Sequence, residues 1–175
     1  LVGLTSLEKL DISNNRLTTA TNDDRLGALA NLTSLNELNL SNNKGITALS
    51  AIAGLSNLTT LDISSTSITD FNVFWIDKDQ DSGEARFNKL KTLQATNIQG
   101  LKSIAGLVQI VNQEGFKADG IIWNLNGSVL KADKDGHIKM ITDKFTSGSF
   151  TAPTVSTNNE GVEELGEISL LLSED

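Results

Sequence analysis

The first hundred residues carry apolar side chains at a repeating spacing. Three apolar residues stand three positions apart, an aliphatic residue follows two positions later, and a polar residue comes three positions after that. Self-similarity at a period of about 20 to 29 residues, with one short L-x-x-L-x-L core in each copy, predicts a solenoid in which every turn contributes one strand. The copies are Leu4, Leu7, Leu10, Ile12, Asn15, Leu17; Leu32, Leu35, Leu38, Leu40, Asn43, Ile46; Leu55, Leu58, Leu61, Ile63, Thr66, Ile68; and, in decayed form, Phe87, Leu90, Leu93, Ala95, Ile98.

Two of the repeats are stretched. The third leucines of successive copies are 28, 23 and 32 residues apart, and the extra residues fall at roughly 20–25 and 72–86. Both insertions follow the polar position and precede the next L-x-x-L, so they are predicted to leave the solenoid on the same side. Insertions on one face of a repeat array often mark its binding face.

Each Leu-x-Leu segment is predicted to be a strand whose leucines point into the coil while the alternate side chains face a concave surface. Asn15 and Asn43 are predicted to turn inward and to bond backbone groups of neighbouring coils, because buried backbone polar groups need partners; Thr66 would use a hydroxyl instead. The predicted concave positions are Lys9, Asp11, Ser13; Glu37, Asn39, Ser41; Thr60, Asp62, Ser64; and Thr92, Gln94, Thr96.

The pattern changes after about residue 110. The rhythm of Leu101 to Ile110 fits either a closing helical turn or a decayed fifth coil. Beyond it, turn signals at Asn126-Gly127 and at residues 133–136 separate apolar runs, which predicts three antiparallel strands. The predicted strands are residues 120–123, 128–130 and 137–141, with two more at residues 150–155 and 168–172.

The amino-acid sequences of the repeats resemble those of bacterial internalins and related surface proteins. The phrases are Gly3-Leu4-Thr5-Ser6-Leu7, Asn31-Leu32-Thr33-Ser34-Leu35 and Gly54-Leu55-Ser56-Asn57-Leu58. The resemblance implies an α/β leucine-rich repeat solenoid over residues 1–107, with short strands and an irregular or 3-10 convex side. The phrase at residues 148–153 resembles bacterial immunoglobulin-like modules, which implies a small all-β immunoglobulin-like or capping module over residues 108–175.

Composition narrows the class of partner. The 175 residues carry a net charge of −8 and no cysteine, so disulfides and thiol chemistry are excluded. An acidic surface repels phosphate backbones and anionic membranes, which argues against nucleic-acid binding. No apolar run approaches the ~18 residues that a membrane span needs, so direct membrane insertion is not expected.

Catalytic motifs are not evident, and His137 is the only histidine, so the chain is predicted not to be an enzyme. A calcium site is the principal candidate for bound metal, because Asp77, Asp79, Asp81 and Glu84 offer carboxylates at a spacing suited to a hard cation. No other cofactor is expected.

The aromatic pair Phe74 and Trp75 precedes this acidic segment. It is interpreted either as an exposed anchor for a ligand, steadied by calcium, or as a lid over the apolar edge between the third and fourth coils.

The resemblance implies adhesion or recognition at a bacterial cell surface or after secretion, with a protein or glycan as the ligand. Two alternatives stay open: a structural spacer in a multi-domain surface protein, and an intracellular scaffold that regulates a partner enzyme. The predicted ligand-binding residues are Lys9, Asp11, Glu37, Asn39, Asp62, Gln94, Phe74 and Trp75.

Overall fold

The computed structural model describes residues 3–20, 23–24, 26–74, 87–112, 116–129, 136–145, 148–151, 155–157, 163–165 and 167–173. Its described elements are twelve strands, two α-helices and three 3-10 helices. The strands are β1 (Lys9–Asp11), β2 (Thr19–Ala20), β3 (Asp23–Asp24), β4 (Glu37–Asn39), β5 (Thr60–Asp62), β6 (Thr92–Gln94), β7 (Ile122–Asn124), β8 (Ser128–Val129), β9 (Gly148–Thr151), β10 (Val155–Thr157), β11 (Glu163–Leu165) and β12 (Glu167–Ser173). The α-helices are α1 (Ala105–Val111) and α2 (His137–Thr142), and the 3-10 helices are Gly27–Leu29, Ser50–Ile52 and Asn72–Phe74.

One parallel sheet runs through all the coils of the solenoid. Its strands follow in the order β1, β4, β5, β6 and β7, with no shift in register from one coil to the next. The third leucine of each repeat therefore stacks directly on its counterpart in the neighbouring coil. This confirms the predicted solenoid with one short strand per turn. The stacked residues are Leu10, Leu38, Leu61, Leu93 and Trp123.

The 3-10 helices form on the return path from one strand to the next. Each buries one or two apolar side chains, such as Leu29 and Ile52, in the same core as the strand leucines. A 3-10 turn suits this position because it is short and tight, and only one side of it faces the core. The predicted 3-10 character of the convex side is confirmed at these segments.

The polar ladder inside the coils is formed by Asn43. Its side chain is fully buried. Its amide nitrogen donates to the carbonyls of Leu40 at 2.8 Å and Ile12 at 3.0 Å, and its Oδ1 accepts the N–H of Leu17 at 3.1 Å. The predicted role of Asn43 in bridging two coils is therefore confirmed.

The ladder is weaker on both sides of Asn43. Thr66 is buried, but its hydroxyl donates only to Ile63 within its own coil, at 2.7 Å. Asn15 is exposed, and its amide donates only within its own coil, to the carbonyls of Ile12 and Ser13. The prediction that Asn15 turns into a buried ladder is wrong, because no described coil packs outside the first one.

A fifth coil continues the sheet beyond the fourth repeat. β7 pairs in parallel with β6, and Trp123 occupies the leucine position with no exposed surface. Ser128 replaces the ladder asparagine: its hydroxyl donates to the carbonyl of Ala95 at 2.6 Å and accepts the N–H of Ile98 at 2.9 Å. The boundary predicted at residue 107 falls inside α1, and the repeat sheet extends past it.

The turn at Asn126-Gly127 does not join two paired strands. β7 and β8 both pair with β12, and Gly127 has a φ of 75° at the position where earlier coils place Asn14, Asn42, Ser65 and Asn97 in the left-handed region. The predicted hairpin is therefore wrong, and this turn is the usual bend of a repeat coil.

Two α-helices lie where the sequence predicted otherwise or left two alternatives open. Residues 105–111 form α1, which resolves the Leu101–Ile110 rhythm as a closing helix before the fifth coil. His137–Thr142 forms α2 instead of the predicted strand, because Ile138 and Ile141 are three residues apart and both reach the core.

The carboxyl-terminal strands close the sheet. β12 pairs antiparallel with β7, β8 and β9, while β10 and β11 form a separate antiparallel pair. The predicted strand at residues 168–172 is confirmed as part of β12. The expectation of an immunoglobulin-like all-β segment is not supported: among the described residues this region adds strands to the end of the repeat sheet and includes α2. The helices described here are all too short, or too polar, to cross a bilayer.

Candidate functional site

The outer side of the parallel sheet brings the predicted binding residues together. We call this surface the open face and define it by two rows of side chains, one from each end of the strands. Neighbouring strands lie about 4.8 Å apart, so the five strands present their side chains over roughly 19 Å. The first row is Lys9, Glu37, Thr60, Thr92 and Ile122, and the second row is Asp11, Asn39, Asp62, Gln94 and Asn124.

These positions are outside the core because side chains alternate along a strand. The central residue of each strand from β4 to β7 is buried, while both flanking residues are half-buried or exposed. The structure thus places the predicted residues Lys9, Asp11, Glu37, Asn39, Asp62 and Gln94 on one continuous surface. Their role in binding a ligand stays a prediction.

Side chains of the second row are held in place by their own backbone. In four of the five strands the side-chain oxygen accepts the N–H of the residue two positions later, which is the geometry of an Asx turn. Side chains fixed before binding lose less entropy when a partner docks. The bonds run from Ser13 to Asp11 at 2.9 Å, from Ser41 to Asn39 at 3.0 Å, from Ser64 to Asp62 at 2.9 Å, and from Asn126 to Asn124 at 3.1 Å.

The charge of the open face is acidic. Lys9 and Glu37 form an ion pair, with Nζ and Oε1 2.6 Å apart, and so offset each other. Both are largely exposed, and a pair of this kind adds little stability. Asp11 and Asp62 are left as the carboxylates that no described cation pairs. The open face therefore favours a partner with positive charge.

Asp11 is held in its charged form. The backbone N–H of Ser13, with its hydroxyl and the Asn39 amide in support, lowers the pKa of the Asp11 carboxyl. The Asn39 amide donates to the second oxygen of Asp11 at 3.1 Å. This bond links the first two coils across the open face.

Two residues of the open face were not among the predicted concave positions. Ile122 and Asn124 extend the two rows by one strand, and Ile122 is 42% exposed. The signal in the sequence was the apolar run at residues 120–123, which predicted a strand but not its place in the sheet. Ile122 gives the otherwise polar surface an apolar end.

Phe74 is buried and cannot contact a ligand. Its side chain has no exposed surface, and its ring lies 5.6 Å from that of Phe71 and 5.0 Å from that of Phe87. The prediction of Phe74 as an exposed anchor is wrong, because the three rings fill the core between the third and fourth coils. For Phe74 this agrees with the alternative interpretation of a lid; Trp75 lies outside the described residues.

The proposed calcium ligands Asp77, Asp79, Asp81 and Glu84 also lie outside the described residues. Within the described part of the chain, no group of three or more carboxylate, histidine or cysteine side chains is arranged to hold a metal ion. The calcium prediction therefore stays a prediction.

The first insertion begins as a small hairpin. Thr19 pairs with Asp24, and Ala20 with Asp23. The hydroxyl of Thr19 accepts the N–H of Thr47 at 2.9 Å, which fixes the base of this hairpin to the second coil. Most of the second insertion is outside the described residues, so the prediction that both leave on one side stays open.

Comparison with known proteins agrees with the observed repeat architecture. A family model described as leucine rich repeat matches residues 5–68. No curated protein sequence matches the chain. The parallel sheet and the match over residues 5–68 both fit a leucine-rich repeat solenoid, and domains of this kind generally bind proteins.

Solved structures with similarity to the chain include two bacterial proteins, of which the first is a leucine-rich repeat protein. One, from Leptospira interrogans, is 21% identical with a TM-score of 0.45, and the match covers 81% of this chain and 36% of that one. The other is the functional domain of InlJ from Listeria monocytogenes, which includes a cysteine ladder; it is 13% identical with a TM-score of 0.38, and the match covers 79% of this chain and 43% of that one. The chain spans less than half the length of either.

Proposed function

We propose that this chain is a recognition module that binds a basic protein segment through the open face. The observation that carries the proposal is the second row, where side chains of successive strands are aligned in register and fixed by Asx turns. A rigid, aligned set of hydrogen-bonding groups can recognise a partner at a low entropic cost. A flexible surface of the same composition would lose more entropy on each binding event.

The partner class follows from the charge and the size of the side chains. Asp11 and Asp62 are two strands apart on the open face, and no described cation pairs with either. None of the ten positions is aromatic or arginine, the residues that most often dominate tight interfaces. We therefore propose an interaction of modest affinity in which lysine or arginine of the partner meets these carboxylates.

The setting that we propose is a bacterial cell surface or the extracellular space, where the module would serve adhesion. Support for it comes from the repeat phrases, which resemble those of bacterial surface proteins. A glycan ligand is the second possibility in that setting, since the open face is rich in hydroxyl and amide groups.

Peptide display tests the proposal although the natural partner is unidentified. The immobilised chain is used to select binders from a random peptide library, and the affinity of the enriched peptides is then measured by calorimetry. We expect enrichment of peptides rich in lysine and arginine. We expect Asp62→Lys to weaken their binding by at least about ten-fold, because attraction is replaced by repulsion.

The matched control is Asp143→Lys, which makes the same change of charge at the exposed residue that follows α2. It should leave the affinity within about two-fold, since rim or remote charges act weakly at physiological salt. Equal losses in the two variants would mean that only net charge matters and would refute the open face as the binding surface.

A structural spacer is the competing function. The observation in its favour is the small, polar character of the open face. A spacer would yield no saturable binder in the same selection.

A further inference from the structure

A groove lies beside the open face, where the second, third and fourth coils turn away from their strands. Its volume is about 540 Å³, within the ~300 to 1,000 Å³ range of small-molecule sites. It is lined by Lys44, Ser65, Ser67, Asn97, Gln99 and Gly100, among others.

The groove lies where the polar ladder is interrupted between the third and fourth coils. Asn43 bridges the first two coils with its amide, but the equivalent residue of the fourth coil is Ile98, whose side chain cannot bridge. Ile68, two residues after Thr66, stands where Leu17 does in the first coil. Its N–H finds no hydrogen-bond acceptor among the described residues, whereas that of Leu17 bonds to Asn43.

Backbone bonds hold the third and fourth coils together on either side of this gap. The N–H of Ser65 donates to Thr96 at 2.8 Å, and the N–H of Lys102 donates to Thr69 at 2.6 Å. Between these two bonds no hydrogen bond joins the two coils among the described residues. These two bonds border the groove on either side.

The chemistry of the groove differs from that of the open face. Its lining residues include one lysine and no acidic residue, in a chain with a net charge of −8. No described acidic side chain pairs with the Nζ of Lys44. Hydroxyl and amide groups supply the remaining polarity: the Ser67 hydroxyl is fixed by a bond to the Lys44 carbonyl at 2.8 Å, and the Gln99 amide by a bond to Gly127 at 3.0 Å.

We propose that this groove binds a sugar ring that carries one carboxylate, such as a uronic acid residue of a glycan. A single ammonium group matches a single carboxylate. The surrounding hydroxyl and amide groups can donate to and accept from the ring hydroxyls. The site does not use the open face, so it stands independently of the function proposed above.

Two other ligands fit the groove less well. A phosphate or sulfate ion would be held by one lysine alone, whereas such ions are usually held by several cations or by clustered backbone N–H groups. An acidic peptide would need an apolar or aromatic anchor, and the named lining residues have no large apolar side chain. The sugar ring is therefore the ligand that the lining favours.

The test is an NMR titration of the isotopically labelled chain with D-galacturonate, compared with D-galactose as the uncharged probe. We expect shifts confined to the amides of residues 65–68 and 97–100, with galacturonate binding more tightly than galactose. Lys44→Ala should weaken galacturonate binding roughly two- to five-fold, the range of an exposed ion pair, and leave galactose unchanged. Lys117→Ala, at an exposed lysine outside the groove, should change neither.

A second variant blocks the groove sterically. A Cβ added at Gly100 meets no atom within 4 Å, so Gly100→Phe should fold, which a melting curve will show, and should abolish the shifts with both sugars. The proposal is overturned if both sugars bind equally, if neither causes shifts at millimolar concentration, or if folded Gly100→Phe binds as the wild type does. None of these results would bear on peptide binding at the open face.

Discussion

Asn43→Ala tests whether one buried amide stabilises the junction between the first two coils. The wild-type side chain makes three strong hydrogen bonds, two of which reach the first coil, and it has no exposed surface. Alanine fits the same backbone but offers no polar group. The Leu17 N–H and the carbonyls of Ile12 and Leu40 would each lose a partner.

The expected loss follows from what those groups cost when unpaired. A buried donor or acceptor without a partner costs about 1 to 3 kcal/mol. The carbonyl of Leu40 is in a buried residue, while Leu17 and Ile12 are half-buried and can recruit water more readily. The carbonyl of Ile12 keeps its bond from the Asn15 amide, so two groups are left unpaired. We therefore expect Asn43→Ala to lower the free energy of unfolding by about 2 to 4 kcal/mol, toward the lower part of the range summed for two groups.

The matched control is Asn15→Ala, the same change at the same repeat position one coil earlier. Asn15 is exposed and bonds only within its own coil, so its loss should cost about 0.5 to 1.5 kcal/mol, the net value of an ordinary hydrogen bond. Urea unfolding followed by circular dichroism would give both values. Hydrogen exchange at the amide of Leu17 should accelerate in Asn43→Ala alone.

Equal destabilisation by the two variants would refute the reasoning. It would mean that the buried amide adds nothing beyond the local turn, and that leucine packing alone holds the coils together. A difference of about 1 kcal/mol or more supports the ladder as a bridge between coils.

Three further outcomes are expected. Gly106→Ala should destabilise the chain by about 1 to 3 kcal/mol or more in urea unfolding, because the new Cβ would fall 1.9 Å from the carbonyl oxygen of Phe71 and α1 would have to move. Asp11 should titrate below the 3.8 of an unperturbed carboxyl in an NMR pH titration, since the Ser13 N–H lowers its pKa; this contribution to stability is present above the unfolded pKa and is lost as the pH falls through the folded pKa. Excess calcium should raise the melting temperature, with about 2.7 kcal/mol of stabilisation at 100 times the dissociation constant, and Asp79→Ala should abolish the rise.

Each of these outcomes has a control. Gly100→Ala should be nearly neutral, because no atom lies within 4 Å of the added Cβ, and a similar loss at both glycines would mean that the clash with Phe71 is not the cause. Asp11→Asn should remove the acid-dependent part of the stability, and an unchanged pH profile would show that this carboxylate makes no net contribution. A melting temperature that is the same in calcium and in chelator would leave residues 77–84 without a metal role.

The repeat pattern predicted four of the strands of the parallel sheet and their register. The pattern predicts these strands because the leucines are strictly spaced, and a residue at a given position must reach the core in every coil. The same logic identified the inward role of Asn43. It failed at Asn15, where the inward role requires a further coil on the outer side.

The fifth coil was not predicted from the sequence, because two of its residues differ from the repeat pattern. Trp123 and Ser128 occupy the positions of leucine and asparagine, but neither residue type signals that role in a linear pattern. Trp123 fits because Phe145, more than twenty residues later, packs beside its ring at 5.8 Å between ring centroids. Such a contact exists only after α2 has docked.

One of the two candidate sites was predicted from the sequence, and the other is seen only in the structure. Sequence alternation placed Lys9, Asp11, Glu37, Asn39, Asp62 and Gln94 on one face, and the structure shows them in two aligned rows. The groove at Lys44 could not be foreseen, because its lining comes from three coils whose relative placement a linear pattern does not record.

The sequence by itself therefore determined the solenoid, the strands of its first four coils and the residues that those strands turn outward, since all of these follow from local periodicity. Tertiary structure alone decided where the sheet ends, which aromatic residues are buried and where the groove lies. These features depend on contacts between residues that are far apart along the chain, and no periodic pattern records which distant side chain will fill a given space.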